Sequence, residues 1–161
     1  MAGRLRGRQL EFAHAAFREA PIHDHRIVVV HHHFVPVPEA GGGGRPLAGG
    51  PALLGELEEM GVSAVLGGHV HQTHMTVSSD LTGRPRAVPV LSAGTATSSR
   101  GRSREAGWNS LLVHRFRHDS LEVVPYVRGP GMDSFEAREP HVFDLGARTA
   151  VVPARPADQG V

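Results

Sequence analysis

Two runs of histidine stand where an apolar segment ends. Ile27–Val30 runs into His31, His32 and His33, and Ala64–Gly68 runs into His69 and His71. Neutral imidazole is a common ligand for Zn, Mn and Fe. In extended chain, residues two apart share a side. His69 and His71 are therefore expected to point one way and Val70 the other, and His32 is expected to turn away from His31. Gly67 and Gly68 would let the backbone pass close to an ion or a substrate. A single strand-end histidine is more often an ordinary hydrogen-bonding residue. The metal reading rests on two such ends together, and its candidate ligands are His31, His69 and His71.

The elements that must position these residues are legible in outline. Leu10, Ala13 and Phe17 recur at helical spacing, which predicts a helix over about residues 8–20. The β-branched run Arg26–His31 predicts a strand buried on both faces. The segment "FVPVPEAGGGGRPLAGG" is a Pro/Gly loop. "PALLGELEEMG" predicts a helix with Pro51 in its first turn and Gly61 as its stop. "VSAVLGG" is a second buried strand, and a third is expected over 87–93. "NSLLVHRF" and "SLEVVPYVR" read as an antiparallel pair joined at "RHDS". Helix and strand alternate in the first half, and the second half is strand-rich. That order predicts an α/β layered sandwich, with ligand sites just beyond the C-terminal ends of its parallel strands. The domain is placed at residues 1–145, with a disordered tail at 146–161.

Composition excludes several classes of function. The chain has 161 residues, enough for one modest core. A net charge of +1 calls for neither nucleic acid nor a membrane surface. The absence of cysteine removes disulfide and thiolate chemistry. No apolar run approaches a membrane span, and no signal-peptide pattern opens the chain, so a cytoplasmic location is expected. "GGGG" at 41–44 lacks the Lys and the strand-to-helix setting of a phosphate loop. Arg100, Arg102 and Arg104 could meet a phosphate, although a solvated loop explains them as well. Ser92, Ser98 and Ser99 have no evident paired base, which argues against a serine hydrolase. His23 and His25 precede their strand, at the wrong end for a sheet-edge ligand. His74, His114 and His118 are expected at the surface.

"IVVVHH" with a following Pro loop, then "LGGHVH", then "PVLSAGTATSSRGRSREAGWNSLLVHRF" resembles the C-terminal half of the calcineurin-like metallophosphoesterases. The resemblance spans about Leu10 to Phe135. It implies a layered αββα sandwich and a dinuclear Mn, Fe or Zn centre that hydrolyses a phosphate-ester small molecule with metal-bound hydroxide. It assigns His31 and His69 to one ion and His71 to the other, and it places His32 beside the substrate. His33 stands where the family has Pro.

The family also needs an Asp-x-His, a bridging Asp and a Gly-Asn-His upstream of these motifs, and none precedes His31. Two cations about 3.5–4 Å apart need anionic ligands, which three imidazoles do not supply. No catalytic residue is therefore assigned. The chain is expected to be an incomplete C-terminal half, inactive as a phosphoesterase. The alternatives are a non-catalytic metal- or partner-binding domain, or a subunit whose site a second chain completes.

Overall fold

The computed structural model describes residues 3–37 and 45–146. The expected tail, apart from Gly146, and the glycine run of the loop lie outside the described residues.

Helix α1 spans Gly7–Glu19. The Arg6 amide donates to the Gln9 side chain at 2.9 Å, which satisfies a donor that the helix start leaves free. Leu10, Ala13 and Phe17 form its apolar stripe. Strand β1 is short, Ile27–Val29. Helix α2 spans Gly50–Glu59 with Pro51 in its first turn, and Gly61 follows in the left-handed conformation, as a helix stop requires. Strand β2 is Ala64–Gly67, and β3, which the sequence reading missed, is His74–Val77. A one-turn helix α3, Ser79–Thr82, leads to β4, Pro89–Ser92. A 3₁₀ turn at Ser103–Glu105 precedes the hairpin of β5, Asn109–Phe116, and β6, Ser120–Arg128. Strands β7, Glu136–Ala137, and β8, His141–Asp144, both pair with β6.

The first sheet has the order β1-β2-β4-β3. Strands β1, β2 and β4 are parallel, and β3 runs antiparallel to β4. The second sheet is antiparallel throughout. Pleating sends alternate residues of the first sheet to opposite faces. Val28, Val65 and Val90 face α1 and α2, packing with Leu53, Leu54 and Leu57. Ala64, Leu66 and Leu91 face the second sheet, meeting Leu112, Leu121 and Val123. The chain is thus an α/β layered sandwich. Each fully buried aliphatic side chain contributes about 1.5–3 kcal/mol to holding these layers together.

Strand β1 differs from expectation. It lies at the sheet edge, and Val29 is 74% exposed. A β-branched run predicts two covered faces, but sequence pattern cannot say whether a neighbouring strand exists. Beside Val29 the space between the sheets opens as a cavity of about 130 Å³, walled by Val30, Leu66, Leu91, Leu112 and His114.

Candidate functional site

Strands β1 and β2 are adjacent and parallel, in the register Val29↔Leu66. Their C-terminal ends therefore lie side by side, and the two histidine runs meet there. His69 Nδ1 stands 3.0 Å from His31 Nε2, close enough for one ring to donate an N–H to the other. The His32 ring centroid is 4.4 Å from that of His69, and the His33 ring stacks on the His69 ring at 6.0 Å. His32 does not turn away from its neighbour as extended geometry predicted: its ring sits edge-on to His31 at 5.1 Å. Gly3 passes directly over His32, so close that a Cβ there would meet the imidazole. His33 is 3% exposed, and its Nδ1 has no hydrogen-bond partner.

The segment holding His69 and His71 is not extended. Both residues have left-handed backbone, with φ of 73° and 55°. Histidine enters this region more readily than most residues with a Cβ, and the cost is still of order 1–3 kcal/mol each. The Val70 and Gln72 side chains plug the interior. Gly67 and Gly68 are not required by crowding. A Cβ at either would make only ordinary contacts, at 3.6 Å and 3.9 Å.

The electrostatics of the cluster come from imidazoles. Burial holds His69 below the usual imidazole value, and His32, His31 and His71 push the same way. Burial likewise lowers His33, followed by His69, His32 and His74. No described carboxylate acts on either ring. His74 was expected at the surface. It opens β3 opposite Ser92, half-buried, and burial and Arg104 depress it. Glu105 comes near the histidine turn, but its carboxylate is committed elsewhere. It accepts the Thr73 N–H at 2.7 Å and the Ser110 hydroxyl at 2.6 Å. Arg100, Arg102 and Arg104 are exposed.

The donor set does not fit a dinuclear centre. Among the described residues, no three His, Asp or Glu side chains stand in position to hold an ion together. Among the described residues, no carboxylate is there to bridge two cations. His31 and His69 alone approach the geometry of a shared ion. Two nitrogens on one tetrahedral Zn lie roughly 3.3 Å apart, given Zn–N bonds of about 2.0–2.1 Å, and theirs are 3.0 Å apart. His71 leaves the same turn but makes no ring contact with that pair. Residues that the sequence reading passed over also shape the site: Thr73, Ser110 and Glu105. A lone Glu in an Arg-rich loop gives no signal of such a part.

No protein-family model matches the chain, and no curated protein sequence does. Solved structures similar to it include the following two. One is a double mutant of Vps29 from Entamoeba histolytica, 16% identical, covering 59% of this chain and 46% of that one, with a TM-score of 0.42. The other is Chaetomium thermophilum Vps29 complexed with a cyclic peptide, 16% identical, covering 75% of this chain and 58% of that one, with a TM-score of 0.45. The chain spans about half the length of these structures. Among the described residues, no helix is long and apolar enough to cross a membrane.

Proposed function

We propose that this chain is a non-catalytic metal-binding domain in which His31 and His69 take a single transition ion. The observation that carries the reading is the 3.0 Å approach of His31 Nε2 to His69 Nδ1, at the ends of adjacent parallel strands with no carboxylate beside it. Nitrogen-only donors favour Zn²⁺ or Ni²⁺ over Mg²⁺, which prefers oxygen. Burial favours the neutral form of His69, the form that ligates. His71, two residues after His69 in the same turn, is the third ligand of this reading. Phosphoester hydrolysis needs two clamped oxygens and an activated water, and this donor set supports neither.

Calorimetry with zinc tests the reading. One ion per chain is expected, with affinity falling roughly tenfold or more in His69→Ala and in His31→Ala, which is at least about 1.4 kcal/mol. Equal zinc affinity in wild type and His69→Ala would count against it. Hydrolysis of bis-p-nitrophenyl phosphate is the companion assay, and no turnover dependent on Mn or Zn is expected. Metal-dependent turnover that vanishes in His69→Ala would overturn the non-catalytic reading.

A further inference from the structure

The histidine turn has an unfavourable backbone conformation, closed across His69 by the Val70 N–H donating to the Gly68 carbonyl at 2.9 Å and gripped from outside just after it. His69 and His71 are both left-handed within three residues. The 3₁₀ turn Ser103–Glu105 and the Arg102 that caps it grip this stretch at two points. The Arg102 N–H donates to the His71 carbonyl at 3.1 Å, and Glu105 Oε1 accepts the Thr73 N–H at 2.7 Å. The other carboxylate oxygen of Glu105 is tied at 2.6 Å to Ser110, which is 1% exposed on β5. Thr73 closes the loop by donating its hydroxyl to Ser110 at 3.1 Å. The grip therefore runs from the second sheet through one carboxylate to the backbone just after His71.

A second, independent feature shows that the carboxylate has a built seat. A Cβ at Gly94 would collide with both Glu105 Oε2 and the Ser110 hydroxyl. Only glycine leaves that space, although Gly94 is not in the left-handed conformation. The charge assists both hydrogen bonds, which makes them stronger than neutral ones.

We infer that Glu105 is the positioning residue of the histidine turn: its carboxylate, seated over Gly94, holds Thr73 so that His69 is presented to His31. It touches no ion and acts only through the backbone. The inference rests on the metal-binding reading for its consequence, not for its geometry. A partner of this kind, one step removed from a ligand, commonly changes metal affinity by about 10–100-fold when lost.

The experiment compares wild type, Glu105→Ala, Glu105→Gln and Gly94→Ala in the full chain by NMR and by zinc calorimetry. Backbone couplings that report φ at His69 and His71 are measured without metal. In Glu105→Ala both couplings should leave the left-handed range, and zinc affinity should fall about 10–100-fold. Glu105→Gln should restore most of both, because its amide oxygen still accepts the Thr73 N–H. A merely structural role would lower the melting temperature without moving φ. Unchanged couplings in a folded Glu105→Ala would overturn the inference. If that variant does not fold, Gly94→Ala decides by the same couplings, since it displaces the carboxylate without removing it. Wild type that binds no zinc, with couplings that still shift in the variants, defeats the metal reading and leaves the positioning role standing. Zinc binding with couplings that do not shift does the reverse.

Discussion

At the scale of single residues, His114 shows how position overrides type. Its alternation on β5 turns it inward opposite Val123, against the cavity between the sheets, and its Nε2 is shut from solvent without a hydrogen-bond partner. Burial pushes its pKa below the ordinary 6.5. The unfolded chain therefore takes up a proton at a pH where the folded chain resists it. The stability held by neutral His114 is complete above about 6.5 and is lost as pH falls through the lower, folded value. Urea midpoints at pH 7.5 and pH 5 check this. His114→Leu should lose less stability than wild type over that interval, and at pH 7.5 it should stay within about 1 kcal/mol of it, since an unpaired polar atom is exchanged for an apolar one. An equal loss in both proteins would show that the acid sensitivity lies elsewhere, for instance at His33 or His74, which are depressed in the same direction.

At the scale of the element, α2 carries two glycines with opposite meanings. Glycine inside a helix costs roughly 0.5–1 kcal/mol relative to alanine. Gly55 pays this cost with little in return. A Cβ there would meet only the guanidinium end of Arg84 at 3.1 Å, on a half-exposed side chain that can swing aside. Gly50 is different, because its Cβ would run into the Phe34 carbonyl. Gly55→Ala is therefore expected to be neutral or to stabilise by up to about 1 kcal/mol, while Gly50→Ala destabilises. Chemical denaturation of the two variants separates them, and a stabilising Gly50→Ala would mean that the helix start can shift away from residue 34. The packing of α2 sets where residues 60–63 enter the sheet, and so where β2 delivers His69.

At the scale of the whole molecule, the exposed edge is the weak point. Among the described residues, strand β1 has a sheet neighbour on one side only, and Val29 stands in solvent beside the open space between the sheets. Such an edge is a template for pairing with another chain. Val29→Lys should leave folding stability within about 0.5 kcal/mol, as for other exposed positions, and reduce self-association. Sedimentation velocity across a concentration series provides the measurement. Identical association in both proteins would place the sticky surface elsewhere, with Phe12 and Val142 the next exposed apolar side chains.

Local pattern was enough for much of this protein. Helical spacing of Leu10, Ala13 and Phe17, the Pro51 start and Gly61 stop of α2, the apolar runs at β2 and β4, and the β5–β6 pair all follow from short-range chemistry. So does the α/β class, because alternating helix and strand can bury their apolar faces in few ways. The pairing of His31 with His69 needs one further fact, that β1 and β2 are parallel neighbours. Strand β3 escaped because His74–Val77 carries a weak strand signal and owes its place to hydrogen bonds from β4. The backbone of the histidine turn was misread for a related reason. Extended chain is the default for such a segment, whereas here a local bond between the Val70 N–H and the Gly68 carbonyl closes the turn, and the distant Glu105 and Arg102 hydrogen-bond the backbone at its end. Burial of His114, His74 and His33 was likewise decided by which sheet or loop came to lie over them. A residue's type sets what it can do with a proton or an ion, but its solvent exposure and its partners come from segments far away in the chain, and those are brought to it only by the folded structure.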